Sequence, residues 1–157
     1  MSEGSSEIII RTLSPSSLSD LVRIEKEASP APWSARLFEE EFRCGHSLVL
    51  GADREDRLVG FLICHEIADE HHILNIAVET ASRRRGVARA LLQHLITASA
   101  GAAIEMVTLE VRSSNLAAQA LYRQFDFEEV GCRRGYYADN QEDALLMTRR
   151  IRTTTSE

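Results

Sequence analysis

Apolar and polar residues follow two different periods along this chain. Apolar segments of strand length, bounded by turn residues, predict β-strands at 8–13, 47–52, 58–67, 73–78, 107–111, 127–133 and 144–149. Segments with apolar residues three and four positions apart predict helices at 18–28, from about 34, at 86–100 and from a cap at 113–115 to about 124. The order β, α, α, β, β, β, α, β, α, β, β indicates an α/β (α+β mixed-sheet) fold, with a central mixed β-sheet flanked by helices.

The helix at 86–100 has the clearest periodicity. One face of it carries Ala88, Leu91, Leu92, Leu95, Ile96 and Ser99. We expect Gly101 to end it as a C-terminal glycine. A doubly wound dinucleotide-binding fold would need regular strand–helix alternation and a G-x-G-x-x-G turn after its first strand, and the sequence has neither.

Length and composition favour one globular domain. The 157 residues are 44% hydrophobic and 27% charged, without internal repeats or a low-complexity linker. We expect a single domain over 1–157, with a core at about 7–150, flexible termini and a frayed tail at 153–157. The first residues lack the basic and apolar regions of a signal peptide, and no apolar run has the length of a membrane span. We therefore expect a cytoplasmic protein that does not bind membranes.

The charges are unevenly distributed. The net charge of −6 argues against a nucleic-acid partner. Lys26 is the only lysine, three arginines are consecutive at 83–85, and acidic residues cluster at 39–41, 69–70 and 142–143. This pattern predicts one local anion site. The acidic runs are either solvated faces or a surface for a cationic partner. We expect a monomer.

Cysteine and histidine positions give no indication of a metal site. Cys44, Cys64 and Cys132 are far apart and odd in number, which predicts buried free thiols. His71 and His72 are adjacent but lack a third ligand at suitable spacing. We therefore expect no metal.

The turn before the helix at 86–100 is the strongest candidate binding motif. It reads Arg83-Arg84-Arg85-Gly86-Val87-Ala88. Backbone N–H groups and the dipole at a helix N-terminus can hold a phosphate chain, and glycine permits a close backbone approach. The simpler alternative is a helix start with solvated arginines.

Two residues downstream could perform acid–base chemistry. Glu110 alternates with Leu109 and Val111 on a predicted strand, where a carboxylate must be paired, exposed to a cleft or perturbed in its pKa. It is the candidate general base, and its alternative role is an ion pair with Arg112 or another arginine. Tyr122 on the next helix is the candidate general acid, or else a tyrosine packed against the sheet.

These motifs resemble the GCN5-related N-acetyltransferases. The acetyl-CoA signature of that family, Arg or Gln, two residues, Gly, one residue, then Gly or Ala, is met at 83–88. Within the family, the chain is most similar to the RimI-type protein-alanine N-acetyltransferases. That similarity rests on Pro32-Trp33-Ser34, Asn75-Ile76-Ala77-Val78, Leu109-Glu110-Val111-Arg112, Arg133-Arg134-Gly135-Tyr136-Tyr137 and Glu142-Asp143-Ala144. Where the family usually has Leu-Gly-Phe, this chain has Phe125-Asp126-Phe127, and Asp tolerates the left-handed conformation at modest cost.

The resemblance implies the acyl-CoA N-acyltransferase (GNAT) fold and a reaction. Acetyl-CoA would acetylate the N-terminal α-amine, an alanine, of a small-subunit ribosomal protein, with Glu110 as base and Tyr122 as acid. The implied cofactor-binding residues are Ile76, Ala77, Val78, Arg83, Arg84, Arg85, Gly86, Val87, Ala88, Arg89 and Asn115. The implied substrate-binding residues are Trp33, Tyr136 and Tyr137. Trp33 equally fits a core position, the tyrosines equally fit a plain hairpin loop, and Asn115 equally fits a helix N-cap.

Amine chemistry favours the α-amine over other substrates. An α-amine has a pKa of about 8, whereas a lysine amine has a pKa of about 10.4 and needs roughly 4 kcal/mol more to be neutral at the same pH. A single glutamate acting through water therefore suits an N-terminal amine better. The alternatives are an acetyltransferase of the same fold acting on a small-molecule amine or a lysine, and a non-catalytic acyl-CoA-binding module.

Overall fold

A computed structural model describes residues 7–151 of the chain, so the predicted frayed tail at 153–157 lies outside the described residues. Its seven-stranded sheet has the order β1-β2-β3-β4-β5-β7-β6. The strands are β1 Ile8–Thr12, β2 Ser47–Arg54, β3 Arg57–Ile67, β4 Glu70–Val78, β5 Met106–Arg112, β6 Glu128–Arg133 and β7 Ala144–Arg150. The helices are α1 Leu18–Ala28, α2 Ala35–Arg43, α3 Val87–Gly101 and α4 Leu116–Gln124. β4 and β5 are parallel, whereas β1–β2, β5–β7 and β6–β7 are antiparallel. The predicted mixed sheet and element order are confirmed.

Two compact units make up the described chain. The first contains the residues up to Ile63 together with Asn75–His94, and the second contains Cys64–Leu74 and the residues from Leu95 onward. Strands β3 and β4 and helix α3 each contribute to both units. That the chain functions as one domain stays a prediction. No helix within residues 7–151 is long and apolar enough to cross a membrane.

In the first unit, aromatic rings fill the space between the helices and the sheet. Phe38 of α2 and Phe61 of β3 are fully buried and meet edge to face, with their ring centroids 5.6 Å apart. Leu21 and Ile24 of α1 are also fully buried. Ser34 caps α2, its hydroxyl accepting the Leu37 N–H at 3.3 Å.

A glycine in β3 allows the first turn of α3 to lie close to the sheet. A Cβ at Gly60 would lie 2.8 Å from Val87 Cγ1 and 3.0 Å from the carbonyl oxygen of Ala77. Real Cβ atoms do not approach another atom as closely as 2.8 Å, so a larger residue would displace the Val87 side chain. Gly60 therefore helps to set the position at which α3 begins.

In the second unit, β5 shows the clearest alternation. Val107, Leu109 and Val111 are buried, whereas the residues between them are only partly buried. Glu110 thus lies on the less buried face of the strand. The buried ring of Tyr122 packs at 5.7 Å from Phe127, and Asp126 between them has a left-handed backbone with φ of 67°, as expected for its sequence.

Three details of the sequence prediction are wrong. β4 begins at Glu70 rather than at 73, because His71 is buried in the strand and bonded to Ser99, so this polar residue does not mark a turn. α3 ends at Gly101 as predicted, but Gly101 lacks the left-handed conformation of a C-terminal glycine, which Ala103 takes instead. All three cysteines are free, but only Cys64 is buried.

Cys44, directly after α2, is half-buried, and Cys132 is exposed on β6, which is an edge strand of the sheet.

A buried carboxylate joins three elements of the first unit. Glu79, at the end of β4, is 2% exposed. Arg57 donates to both of its oxygens at 2.6 and 2.7 Å, Arg23 of α1 donates at 2.8 Å, and the Ser82 hydroxyl donates at 2.7 Å. Burial alone would raise the pKa of Glu79, but these hydrogen bonds outweigh it and lower the pKa to about 2.

We predict that Glu79→Gln lowers the free energy of unfolding by about 2–4 kcal/mol at neutral pH, because two guanidinium groups lose their charged acceptor. A lowered folded pKa contributes stability that is present above the unfolded value of about 4.5 and is lost as the pH falls toward about 2. The difference between wild type and variant should therefore shrink between pH 5 and pH 3 in urea titrations.

The control is Glu128→Gln, the same change at an exposed position, which should alter stability by less than about 0.5 kcal/mol. A Glu79→Gln variant whose stability differs from wild type by the same amount at every pH would contradict the assigned role of the charge.

Candidate active site

The basic turn before α3, the predicted phosphate site, belongs to the first unit. Arg83, Arg84 and Arg85 are exposed. Arg84 has φ of 64° and Gly86 has φ of 82°, so the backbone is left-handed at both positions. Gly86 adopts this conformation at no steric cost, whereas a β-branched residue would be strained there.

Backbone donors at the start of α3 are available to a ligand. The Ala90 N–H donates to Gly86 O at 3.0 Å, and the N–H groups of a helix's first turn have no acceptor within the helix. A Cβ built on Gly86 would meet no atom within 4 Å, so the space in front of the turn is open. The turn therefore fits a phosphate chain, which it would bind through N–H groups and arginine side chains.

The strand segment at 76–78 precedes this turn. Ala77 is buried, whereas Ile76 and Val78 are partly buried, and the Glu79 N–H donates to Val59 O at 2.8 Å on β3. The segment is thus held at its far end by β3 and by the Glu79 network. Its predicted role in holding the cofactor's pantetheine arm stays a prediction.

In the second unit, Glu110 lies beside an arginine and a tyrosine. Its side chain is 16% exposed, and Arg133 Nε is 3.0 Å from its Oε2. The Tyr136 hydroxyl donates a hydrogen bond to Glu110, and the negative charge of Glu110 is the main cause of a raised Tyr136 pKa. The carboxylate is therefore both paired and accessible.

Arg112 does not pair with Glu110, although the sequence leaves that pairing open. Its guanidinium lies 4.0 Å from the centroid of the Tyr137 ring and is 3.1 Å from Asp139 and 3.3 Å from Glu142. Hydrogen bonds, the largest from Ser114, lower the pKa of Glu142 to about 2. These contacts hold the connection between β6 and β7, which carries Tyr136 and Tyr137.

The two tyrosines of this connection differ in exposure. Tyr136 is 47% exposed, Tyr137 is half-buried, and their rings meet edge to face at 5.1 Å. The Gly135 N–H donates to Asp143 at 2.9 Å, and the Tyr137 N–H donates to Glu142 O at 3.1 Å. These hydrogen bonds hold the connection in place, and the ring of Tyr136 is exposed to solvent.

Tyr122 is almost completely enclosed. It is 6% exposed, and burial raises the pKa of its phenol far above the ordinary value. The phenol is therefore protonated throughout the physiological range and can act as a donor.

Two further predicted residues have clear structural roles. Asn115 caps α4, since its Oδ1 accepts the Ala118 N–H at 3.1 Å. Trp33 is partly buried in the connection between α1 and α2, with its ring 5.2 Å from Phe38. Its backbone N–H donates to Glu25 at 3.0 Å. Neither role is in conflict with binding a ligand.

The predicted site residues are divided between the two units. The first holds Trp33 and the segments 76–78 and 83–89, and the second holds Glu110, Asn115, Tyr122, Tyr136 and Tyr137. Two residues that contact predicted site residues, Gly60 and Glu25, were not singled out from the sequence, and the arginine that pairs with Glu110 is Arg133. Their contacts join residues that are distant in the chain, and no local pattern indicates them.

Comparison with known proteins places this arrangement in a family. The model of the acetyltransferase (GNAT) family matches residues 18–127. A ribosomal protein bS18-alanine N-acetyltransferase of Salmonella typhimurium is 40% identical over 141 residues, which cover 88% of this chain and 94% of the relative.

Solved structures agree. The ribosomal-protein-S18-alanine N-acetyltransferase of Escherichia coli has a TM-score of 0.88 at 34% identity, over 96% of this chain and 97% of that one. NAA60 of Arabidopsis thaliana, in complex with a bisubstrate analogue, has a TM-score of 0.82 at 25% identity, over 94% of this chain and all of that one.

The chain belongs to the acetyltransferase (GNAT) family. The predicted family and fold are therefore confirmed, and the protein is an acetyltransferase with acetyl-CoA as its co-substrate.

We predict that Gly86→Val weakens acetyl-CoA binding at least about tenfold, because a β-branched residue disfavours the positive φ that presents the turn. Gly86→Asn is the matched control, since Asn adopts this conformation at small cost and a Cβ has open space at this position. Isothermal titration calorimetry measures both affinities. Normal affinity in the valine variant would exclude the turn as the phosphate site.

Proposed function

We propose that this chain transfers the acetyl group of acetyl-CoA to the N-terminal α-amine of a protein, an alanine, and that its substrate is ribosomal protein S18. The observation that carries the proposal is the 40% identity to an enzyme named for this reaction, extending over 88% of the chain. The presence of a carboxylate and a phenol at the predicted positions supports catalysis over acyl-CoA binding alone. A cytoplasmic location follows from this substrate.

Glu110 is the general base of the proposed reaction. The attacking amine must be neutral, and an α-amine with a pKa of about 8 needs only a weak base near neutral pH. A partly exposed carboxylate can remove the proton directly or through one water molecule. Arg133 and the Tyr136 hydroxyl both contact the carboxylate and orient it.

Tyr122 acts on the sulfur of the leaving group in this proposal. Bound acetyl-CoA supplies a thioester whose cleavage leaves negative charge on sulfur. Burial raises the pKa of Tyr122, so full proton transfer to a thiolate whose conjugate acid has a pKa of about 8.5 is unfavourable even after the C–S bond has broken. Donation of a hydrogen bond to the developing charge is favourable throughout. The predicted general acid thus acts first as a hydrogen-bond donor.

The connection between β6 and β7 is the proposed peptide platform. Tyr136 presents an exposed ring next to Glu110, and Tyr137 is fixed by the Arg112 guanidinium. An aromatic surface beside the base suits the first residues of an extended peptide. Trp33, in the connection between α1 and α2 of the first unit, is a separate proposed substrate contact.

We expect acetylation to be confined to a free N-terminal alanine. The test uses two matched peptides with acetyl-CoA, read by mass spectrometry. One has an N-terminal alanine followed by arginines, and the other has a blocked N-terminus and an internal lysine. Acetylation of the lysine peptide would contradict the proposal and favour a lysine as the substrate. Acetylation of neither peptide, with acetyl-CoA still bound, would favour another amine.

We predict that Glu110→Gln and Tyr122→Phe lower the single-turnover rate with different pH dependence. Loss of the base should cost about 10–100-fold near pH 6 and much less near pH 9, where the amine is already neutral. Loss of the phenol should cost about 100-fold at every pH, because the hydrogen bond to sulfur does not depend on amine ionisation. Rapid-quench kinetics across this pH range measures both.

Glu129→Gln, the same change on β6, is the control and should leave the rate within about twofold of wild type. A Glu110→Gln loss that is constant with pH, or a large fall in its acetyl-CoA affinity, would make the carboxylate structural. An unchanged rate in Tyr122→Phe would remove the phenol from the mechanism.

A further inference from the structure

Glu25 in α1 is a buried carboxyl group that the proposed acid–base chemistry does not use. It is 2% exposed. Its Oε2 accepts the Trp33 backbone N–H at 3.0 Å, and its Oε1 accepts from Asn75 Nδ2 at 3.1 Å. Trp33 belongs to the connection between α1 and α2, and Asn75 directly precedes the segment 76–78 of β4. One carboxyl group thus joins this connection to the strand.

The connection at 29–34 has few backbone N–H groups that could form hydrogen bonds. Pro30 and Pro32 have no N–H group. The Ser29 N–H donates to the main-chain oxygen of Glu25 at 3.0 Å, and the Ala31 N–H donates to the Ser29 hydroxyl at 3.2 Å. Glu25 therefore accepts at both ends of the connection, through its carbonyl at Ser29 and its carboxyl at Trp33.

Stability alone does not explain a charge at this position. Burial raises the pKa of Glu25, and the hydrogen bonds from Trp33 and Asn75 offset this only in part. A group with a raised folded pKa contributes stability that is full below its unfolded value of about 4.5 and is lost as the pH rises through the folded value. At neutral pH, a neutral residue of the same shape should be at least as stabilising as Glu25.

We propose that Glu25 is a positioning residue for the peptide substrate, which holds the backbone of Trp33 against β4 so that the connection receives the peptide's first residues. The Phe38 ring fixes the Trp33 side chain, and Glu25 fixes its main chain. The inference rests on the proposed function, because it takes Trp33 as a substrate contact.

The test compares Glu25→Ala, which removes both acceptors, with Glu25→Gln. Trp33 is the only tryptophan, so intrinsic fluorescence reports directly on the connection. In the alanine variant we expect a red-shifted emission and an approximately tenfold higher KM for the peptide, with kcat and the KM for acetyl-CoA within about twofold of wild type.

The glutamine variant should rescue both readouts. Its amide oxygen can accept from Trp33, and rotation of the Asn75 amide provides a partner for its NH₂ group. We expect wild-type emission, a peptide KM within about threefold of wild type, and a free energy of unfolding at neutral pH equal to or above that of wild type. Glu39→Ala, at an exposed position of α2, is the control and should change none of these values.

Wild-type emission and peptide KM in Glu25→Ala would overturn the proposal. So would a glutamine variant with unchanged emission but the alanine variant's peptide KM, because the charge would then act on the substrate itself. If Glu25→Ala does not fold, Glu25→Asp replaces it, since the shorter carboxylate cannot reach both partners and should shift both readouts. If wild type acetylates no peptide, the proposed function fails, whereas the emission of the variants still decides whether Glu25 positions Trp33.

Discussion

The bonds to Glu79 are the interaction on which the rest of the first unit depends. This carboxylate directly follows β4 and lies four residues before the first arginine of the predicted anion-binding turn. It receives hydrogen bonds from α1 through Arg23, from the start of β3 through Arg57 and from Ser82. An N–H group binds an anion only when it points toward it. A turn predicted to bind a phosphate chain therefore needs the residues before it to be held in one position. The hydrogen bonds to Glu79 hold the chain in position directly after β4.

Two buried glutamates in the same unit show that the partners of a carboxylate decide whether burial raises or lowers its pKa. Glu79 meets two guanidinium groups, so burial is more than offset and its pKa falls. Glu25 meets only neutral N–H donors, so burial dominates and its pKa rises. Amide donors stabilise a carboxylate less than cations do. The first glutamate therefore supports folding at neutral pH, and the second is retained there at some cost, which is typical of residues that serve a site.

The sequence predicts most of the fold because the periodic signals are local. The six positions singled out on α3 are spaced by its turn, and five of them are buried. The arginine–glycine turn is also local, and so is the Asn115 cap. Contacts between residues far apart in the sequence leave no such local pattern. Glu25 and Asn75 are 50 residues apart, and neither shows a pattern that would join them. Gly60 was missed for the same reason, because its importance lies in the atoms that approach it, and only the structure shows that Arg133 is the arginine that pairs with Glu110.

In the proposed mechanism, with Glu110 as the base, its pairing with Arg133 affects how the amine can approach the carboxylate. Arg133 is 57% exposed, so its guanidinium remains largely hydrated while it contacts the carboxylate. An ion pair of this exposure is worth about 1 kcal/mol or less, so an incoming ammonium group can replace the guanidinium with little penalty. The carboxylate then exchanges a permanent cation for one that can give up its proton. A buried arginine would hold Glu110 too tightly for this exchange, and a site without arginine would leave the base less well oriented. The partial exposure of Arg133 therefore suits a base that must be positioned before the amine binds and released to it afterwards.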